Sequence, residues 1–327
     1  MRISVVTPFY NTAEFLEECI ESVLAQTFVD FEYLLVDNCS TDDSHDIAAK
    51  FAAVDERVRL IENPEHVSQV ENYNGALAQI SPDARWVKLI QADDTLLPEC
   101  IERMVDTGER DPRIGLVSAL YMKGDTPRGG GIPFGVEQLS GREVCRRMLL
   151  DDCFPIGSPS AVLYRADLVR TRQPFYALGR YHEDTEAAYE LLLDHDFGFV
   201  HQVLAFLRTE NISIMSAARR FNPEPLDHLI ALERFGPQVL TSAEYERQGG
   251  NEWRAYLGFL GESVLRRREP EFWEYHRAGL AQTGRALDRP TLLLASVRAA
   301  ARVLLQPITT VRQWSRDREG TTRVRRR

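Results

Sequence analysis

No glycine occurs before Gly75 in this chain of 327 residues. That absence excludes a GxGxxG dinucleotide turn and a GxxxxGK[ST] phosphate loop after the first strand, since both need glycine where the backbone wraps a phosphate. It also excludes the N-terminal glycine-rich loop of sugar-phosphate nucleotidyltransferases. No run of 18 apolar residues exists either; the nearest, residues 292–311, is interrupted by Arg298 and Arg302. The five cysteines are odd in number and form no CxxC pair, which fits neither a zinc ribbon nor a disulfide framework. The seven histidines show no HxxxH or related ligand spacing. With no charged leader before Ile3, a reduced, cytoplasmic setting is expected.

Basic charge is outnumbered by acidic charge until the end of the chain. The whole carries a formal charge of -10, yet residues 285–327 hold eleven arginines against Asp288, Asp317 and Glu319. The preceding body is therefore strongly acidic, which argues against nucleic acid as a partner.

The hydrophobic pattern starts with a strand-like run at residues 3–7. Phe15, Leu16, Cys19, Ile20, Val23 and Leu24 then share one helical face. Asn11 with Glu14, Ser40 with Asp43, and Ser140 with Glu143 predict capped helix starts. Residues 31–36, 58–61, 86–92 and 114–120 read as further strands with helices between them, and Pro98 suits the first turn of one such helix. The alternation predicts an α/β fold, a mostly parallel sheet covered on both faces. Later strands are expected at 161–164, 197–200 and 203–207, and a helix at 184–193. Beyond about residue 216 the chain reads as helical, broken at Pro237, Gly249-Gly250, Pro270 and Pro290. Two domains are expected, 1–216 and 217–327.

Sheets of this kind bind ligands at the carboxyl ends of their strands. Here those ends are acidic: Asp37-Asn38-Cys39-Ser40 follows the second strand and Asp93-Asp94 the fourth. Adjacent carboxylates repel unless a cation or hydrogen bonds hold them. A hard divalent cation bridging carboxylate and diphosphate oxygens would resolve both charges. The plainer alternative is that Asp93-Asp94 only caps the helix near Pro98.

Together these residues resemble the family-2 inverting glycosyltransferases, GT-A-fold enzymes using nucleotide-sugar donors. The resemblance rests on Thr7-Pro8-Phe9-Tyr10-Asn11, on Asp37 through Asp42, on Ala92-Asp93-Asp94 with Pro98, on residues 155–160, and on Glu183-Asp184. It covers about residues 1–216. It implies that Pro8, Tyr10 and Asn11 line the nucleotide, with Tyr10 against the base, and that Asp37 or Asn38 bonds the base edge. Asp93 would hold the ribose, and Asp94 would ligate Mg2+ or Mn2+ on the diphosphate. Asp184 would be the general base, with Glu183 its rival. The donor implied is a UDP- or dTDP-sugar rather than a GDP-sugar, and the acceptor a glycan or lipid-linked molecule.

Two positions depart from the family pattern. Relatives commonly have Asp-Asp-Gly-Ser where this chain has Asp37-Asn38-Cys39-Ser40, which alters the base contact. Many carry a histidine where Glu210 stands; either Glu210 is the metal ligand in its place, or the metal relies on Asp94, diphosphate and water. No Gln-x-x-Arg-Trp motif is present, so addition of one sugar at a time is expected. The segment from Leu292, with Arg298, Arg302 and the terminal arginines, reads as a basic amphipathic tail. It would lie on the inner face of an anionic membrane or pack on the protein. Two other classes stay open: a catalytically silent nucleotide-sugar-binding or scaffolding protein, and a nucleotidyltransferase.

Overall fold

The computed structural model describes residues 2–179, 182–209 and 220–305. The chain divides into two units, Met1–Asn211 and Ile212–Arg327, so the expected boundary near residue 217 falls outside the described residues. The first unit alternates β1 (Arg2–Phe9), α1 (Ala13–Leu24), β2 (Phe31–Asp37), α2 (Ser44–Val54), β3 (Val58–Glu62), α3 (Gln69–Leu77) and β4 (Ala84–Leu89). A short β5 (Thr95–Leu96), α4 (Cys100–Gly108) and β6 (Ile114–Lys123) follow. Then come β7 (Thr126–Arg128), β8 (Gln138–Leu139), α5 (Gly141–Leu149), β9 (Val162–Arg165), α6 (Ala166–Thr171), α7 (Glu183–Leu192) and β10 (Asp196–Leu207).

The strands form one sheet in the order β3-β2-β1-β4-β9-β6-β10-β5. The parallel sheet expected from the alternation is present from β3 to β4 and again between β6 and β10. Between them β9 runs antiparallel to both neighbours. Every residue of β2 is buried, the mark of a central strand covered on both faces. Helix α1 turns Leu16, Cys19, Ile20 and Val23 onto the sheet, joining Ile3, Val5, Tyr33 and Trp86 in the main core. The two strands expected at 197–200 and 203–207 are one. Strand β10 absorbs a register irregularity between Val200 and Val203 and continues to Leu207.

Three capping expectations are corrected. Helix α1 starts after Thr12, and neither Asn11 nor Thr12 gives it a side-chain cap. Helix α5 also begins without a capping side chain, and at α2 Asp43 makes no cap; the Ser44 N–H donates to Asp42 Oδ1 at 3.0 Å instead. Complete capping boxes occur instead at Ser68 with Glu71, and at Thr241 with Glu244 in the second unit. Pro98 lies just before α4, not in its first turn.

The second unit comprises α8 (Glu224–Val239), α9 (Ser242–Leu265), α10 (Pro270–Ala281) and α11 (Arg289–Leu305). Of the expected breaks, Pro270 opens α10 and Pro290 lies in the first turn of α11, Pro237 falls two residues before the end of α8, and only Gly249-Gly250 lies well inside a helix, α9. Proline is tolerated near a helix end, and packing offsets the cost of about 1 kcal/mol per helical glycine. Leu226, Leu229, Tyr256, Leu260, Phe272 and Leu280 form the core. Buried His276 is held neutral among them, its Nδ1 2.8 Å from Tyr256 Oη and its Nε2 2.8 Å from the Phe221 carbonyl. Burial lowers its pKa to about 4. Helix α11 buries its small residues, Ala295 and Ala299, against α9, where a Cβ on Gly261 would lie 2.5 Å from the Ala295 carbonyl. Its Leu293, Leu294, Val297, Leu304 and Leu305 are exposed. Among the described residues no helix is long and apolar enough to cross a membrane. The terminal arginines lie outside the described residues.

Candidate active site

The strand order brings the carboxyl ends of β1, β2 and β4 together. Two of the loops leaving them are stapled to each other. The Asn11 N–H donates to Ser40 Oγ at 3.1 Å, and the Thr41 N–H donates to Asn11 Oδ1 at 2.7 Å. The Thr12 N–H donates to Ser44 Oγ at 2.8 Å and the Ala13 N–H to Asp42 Oδ2 at 3.1 Å. The open N–H groups at the start of α1 are thus satisfied by the β2–α2 loop rather than by a local cap. Asn11 sits at φ 50°, a left-handed conformation asparagine tolerates, and Cys39 at φ 62°. The latter costs a non-glycine residue about 1–2 kcal/mol.

Pro8 is buried one residue before the end of β1, so it shapes the loop rather than lining it. Tyr10, just beyond, is 43% exposed. Asp37 accepts from the Ser40 N–H at 2.9 Å and pairs with His45 Nδ1 at 3.1 Å. Asn38 donates from Nδ2 to the Val67 carbonyl at 2.8 Å, and its Oδ1 accepts from the Val67 N–H at 3.0 Å. Asp37 and Asn38 are both buried, their side chains turned into the protein.

At the end of β4, Asp93 is part-buried and Asp94 is buried. Asp94 Oδ1 accepts from the Arg208 N–H at 3.1 Å, whereas Oδ2 is buried with no hydrogen-bond partner. Burial, reinforced by the neighbouring Asp93 charge, pushes the Asp94 carboxyl up to about 7, against weaker opposing pulls from Ser160, Arg208 and Lys88. A buried, unpartnered carboxylate oxygen beside a second carboxylate suits a hard divalent cation, and this oxygen donor set fits Mg2+ or Mn2+.

Arg208 was not singled out from the sequence, yet it braces this turn. Its Nε donates to the Asp93 carbonyl at 2.9 Å, its guanidinium lies 4.9 Å from the centre of the Phe15 ring, and it pairs with Glu18. The available signal was its place as the first residue after β10. Lys88, Tyr73 and Gln91 were also missed. Buried Lys88 donates to the carbonyls of Ser160 and Val162 at 2.5 and 3.1 Å, tying the approach to β9 onto β4. Gln91 donates from Nε2 to Tyr73 Oη at 3.2 Å, accepts from Ser158 Oγ at 2.8 Å, and donates its N–H to Ser160 Oγ at 3.0 Å.

That network joins the acidic turn to the loop before β9, in which Gly157 takes φ 96° and lies flat on Tyr121; a Cβ there would come within 2.5 Å of the ring. Burial raises the phenols of Tyr121, Tyr164 and Tyr176, and the charge of Asp184 raises all three further. The Asp184 charge is therefore felt across this aromatic floor. Burial likewise raises Tyr73, helped by the charges of Asp93 and Glu183. The start of α7 and the acidic turn thus act on one tyrosine. Asp184 Oδ1 accepts from the Thr185 N–H at 2.7 Å. Its side chain keeps some solvent contact, but dense surrounding protein pushes its carboxyl pKa upward, opposed by His182 and Thr185. Glu210 lies outside the described residues.

The family model for Glycosyl transferase family 2 matches residues 4–171. The glycosyltransferase GlyG of Streptococcus pneumoniae serotype 4 is 29% identical over 226 residues, 65% of this chain and 72% of GlyG. S. aureus TarS 1–349, solved in complex with UDP-GlcNAc, has a TM-score of 0.65 at 17% identity, covering 91% of this chain and 88% of that one. The mannosyltransferase PcManGT from Pyrobaculum calidifontis, solved with GDP-Man and Mn2+, has a TM-score of 0.55 at 19% identity, covering 94% and 82%. These likenesses give a GT-A fold followed by a helical region.

Proposed function

Because the chain belongs to glycosyl transferase family 2, and is therefore a glycosyltransferase, we propose that it moves one sugar at a time from a UDP- or dTDP-sugar to an acceptor hydroxyl. The displacement inverts the anomeric carbon and depends on Mg2+ or Mn2+. Residues 1–216 form the catalytic domain, and the acceptor is a glycan or a lipid-linked molecule. The observation that carries this proposal is the buried, unpartnered Oδ2 of Asp94 beside Asp93.

In this scheme Tyr10 stacks on the base, and Asn11, Asp37 and Asn38 hold the loops that form its pocket. Asp93 bonds the ribose. Asp94 holds the cation, which when bound offsets negative charge on the leaving diphosphate. Asp184 takes the acceptor proton, its raised pKa making it a better base than an ordinary aspartate. The neighbours support a sugar-nucleotide donor, since one was solved with UDP-GlcNAc and another with GDP-Man and Mn2+. The test is nucleoside diphosphate release from a panel of UDP-, dTDP- and GDP-sugars, with Mn2+ and with chelator. Release from none of them would overturn the proposal. Tight binding without turnover would favour a silent binding protein, and pyrophosphate release from a nucleoside triphosphate and a sugar phosphate a nucleotidyltransferase.

Helix α11 supplies a membrane contact in the same proposal. Its exposed leucines and Val297 share a helix with Arg289, Arg298 and Arg302 and with no acidic residue. Arg302 pairs with Glu262 at 3.1 Å, which leaves an apolar face with Arg289 and Arg298 on the same helix to match an anionic lipid surface, where each basic residue contributes about 1 kcal/mol. Leu293→Glu with Leu304→Glu is expected to lower co-sedimentation with phosphatidylglycerol vesicles. Equal sedimentation of this variant and the wild type would remove the membrane role; a shift from dimer to monomer alone would assign the face to a second copy.

A further inference from the structure

The segment between β3 and α3 is drawn onto the end of β2 by the two residues that depart from the family pattern. Asn38 grips Val67 through both its N–H and its carbonyl, and its Oδ1 also accepts from Asn63 Nδ2 at 3.0 Å. The Cys39 thiol donates to the Asn63 carbonyl at 3.3 Å. The residue this clamp presents is His66. Its Nδ1 lies 3.1 Å from the Asn38 carbonyl, and its ring centre 4.4 Å from that of Tyr10. A carbonyl only accepts, so Nδ1 carries the proton in this contact. In the neutral ring Nε2 is then left as an acceptor.

Both rings are exposed, whereas Asp37 and Asn38 are at most 3% exposed, with their polar atoms engaged inside the protein. His66 is thus the exposed acceptor beside the aromatic face on which a base would lie. We propose that His66 is a specificity-determining residue for the donor base. Its Nε2 accepts the N3–H of uracil or thymine while Tyr10 stacks on the same ring. Cytosine has a lone pair at N3 instead of a hydrogen, so it faces Nε2 with two acceptors and is rejected. This inference rests on the site being a nucleoside diphosphate site, as proposed above.

The experiment is titration of the full chain, with Mn2+ present, by UDP, CDP and N3-methyl-UDP. Comparison is made among the wild type, His66→Phe, which keeps a ring without the acceptor, and His66→Ala. An exposed acceptor that the stacked base shields from water, and that then faces a second acceptor, should weaken binding by about tenfold. The wild type should therefore bind UDP about tenfold tighter than either CDP or N3-methyl-UDP. His66→Phe should bind all three within about twofold of one another, and His66→Ala should also bind all three more weakly. Undiminished discrimination by His66→Phe would overturn the proposal, as would a wild type that binds the three ligands equally. If the wild type binds UDP but His66→Ala changes nothing, the inference fails alone and the nucleotide site stands. If the wild type binds no nucleoside diphosphate, the proposed function falls and the inference falls with it.

Discussion

Asp94→Asn is expected to abolish the Mn2+-dependent part of nucleoside diphosphate binding while leaving the chain folded. The substitution keeps an oxygen to accept the Arg208 N–H but removes the charge that a cation needs. Loss of a direct oxygen ligand should weaken metal-dependent binding by on the order of 100-fold, at the upper end of what outer-shell changes produce. The thermal midpoint should hold or rise, because a buried carboxylate with one oxygen unpartnered is a cost to the folded state. Calorimetry of UDP binding with Mn2+ and with chelator provides the measurement. Equal wild-type affinity in the two conditions would remove the metal from the scheme, and an unfolded variant would assign Asp94 a structural role.

Asp184→Asn should lose transfer by about 10²–10⁴-fold, the usual contribution of a general base, with donor affinity retained. In the wild type the rate should fall as pH drops through a carboxyl pKa above the ordinary aspartate range, since the protonated acid cannot take the acceptor's proton. In Asp184→Asn that acid limb should disappear along with most of the rate. Glu183→Gln should keep the limb and most of the activity. The reverse pattern, a near-normal Asp184→Asn beside an inactive Glu183→Gln, would move the role to Glu183. Loss of donor binding by both variants would make the pair structural.

Much of the first unit was legible because its buried strands are continuous apolar runs and its helices repeat at 3.6 residues. Strand β2, buried at every position, announces itself in the sequence; the antiparallel insertion of β9 does not, because nothing local encodes direction. The helix starts failed for a specific reason. Asn11, Ser40 and Asp42 have capping chemistry, but they spend it across 29 or 30 residues on one another's loops. The acidic positions of the site could be found by type and order. Their supports could not: Arg208, Lys88 and Gln91 act through hydrogen bonds between residues 18 to 190 positions apart. Gly249-Gly250 misled because packing offsets the propensity cost of glycine inside α9, where Gly249 is buried.

The clamp on the loop after β2 also limits the routes by which this sequence can change. Asn38→Asp, which restores the more usual family residue, would turn an oxygen toward the Val67 carbonyl where an N–H now donates at 2.8 Å. Cys39→Gly would relieve φ 62° but release the thiol from Asn63. Each substitution removes one hydrogen bond from the segment that carries His66. The loops after β2 and β3 are therefore coupled: at Asn38 the change costs a buried contact, whereas at Cys39 the relief of backbone strain offsets it, so the position of His66 is more sensitive to Asn38 than to Cys39.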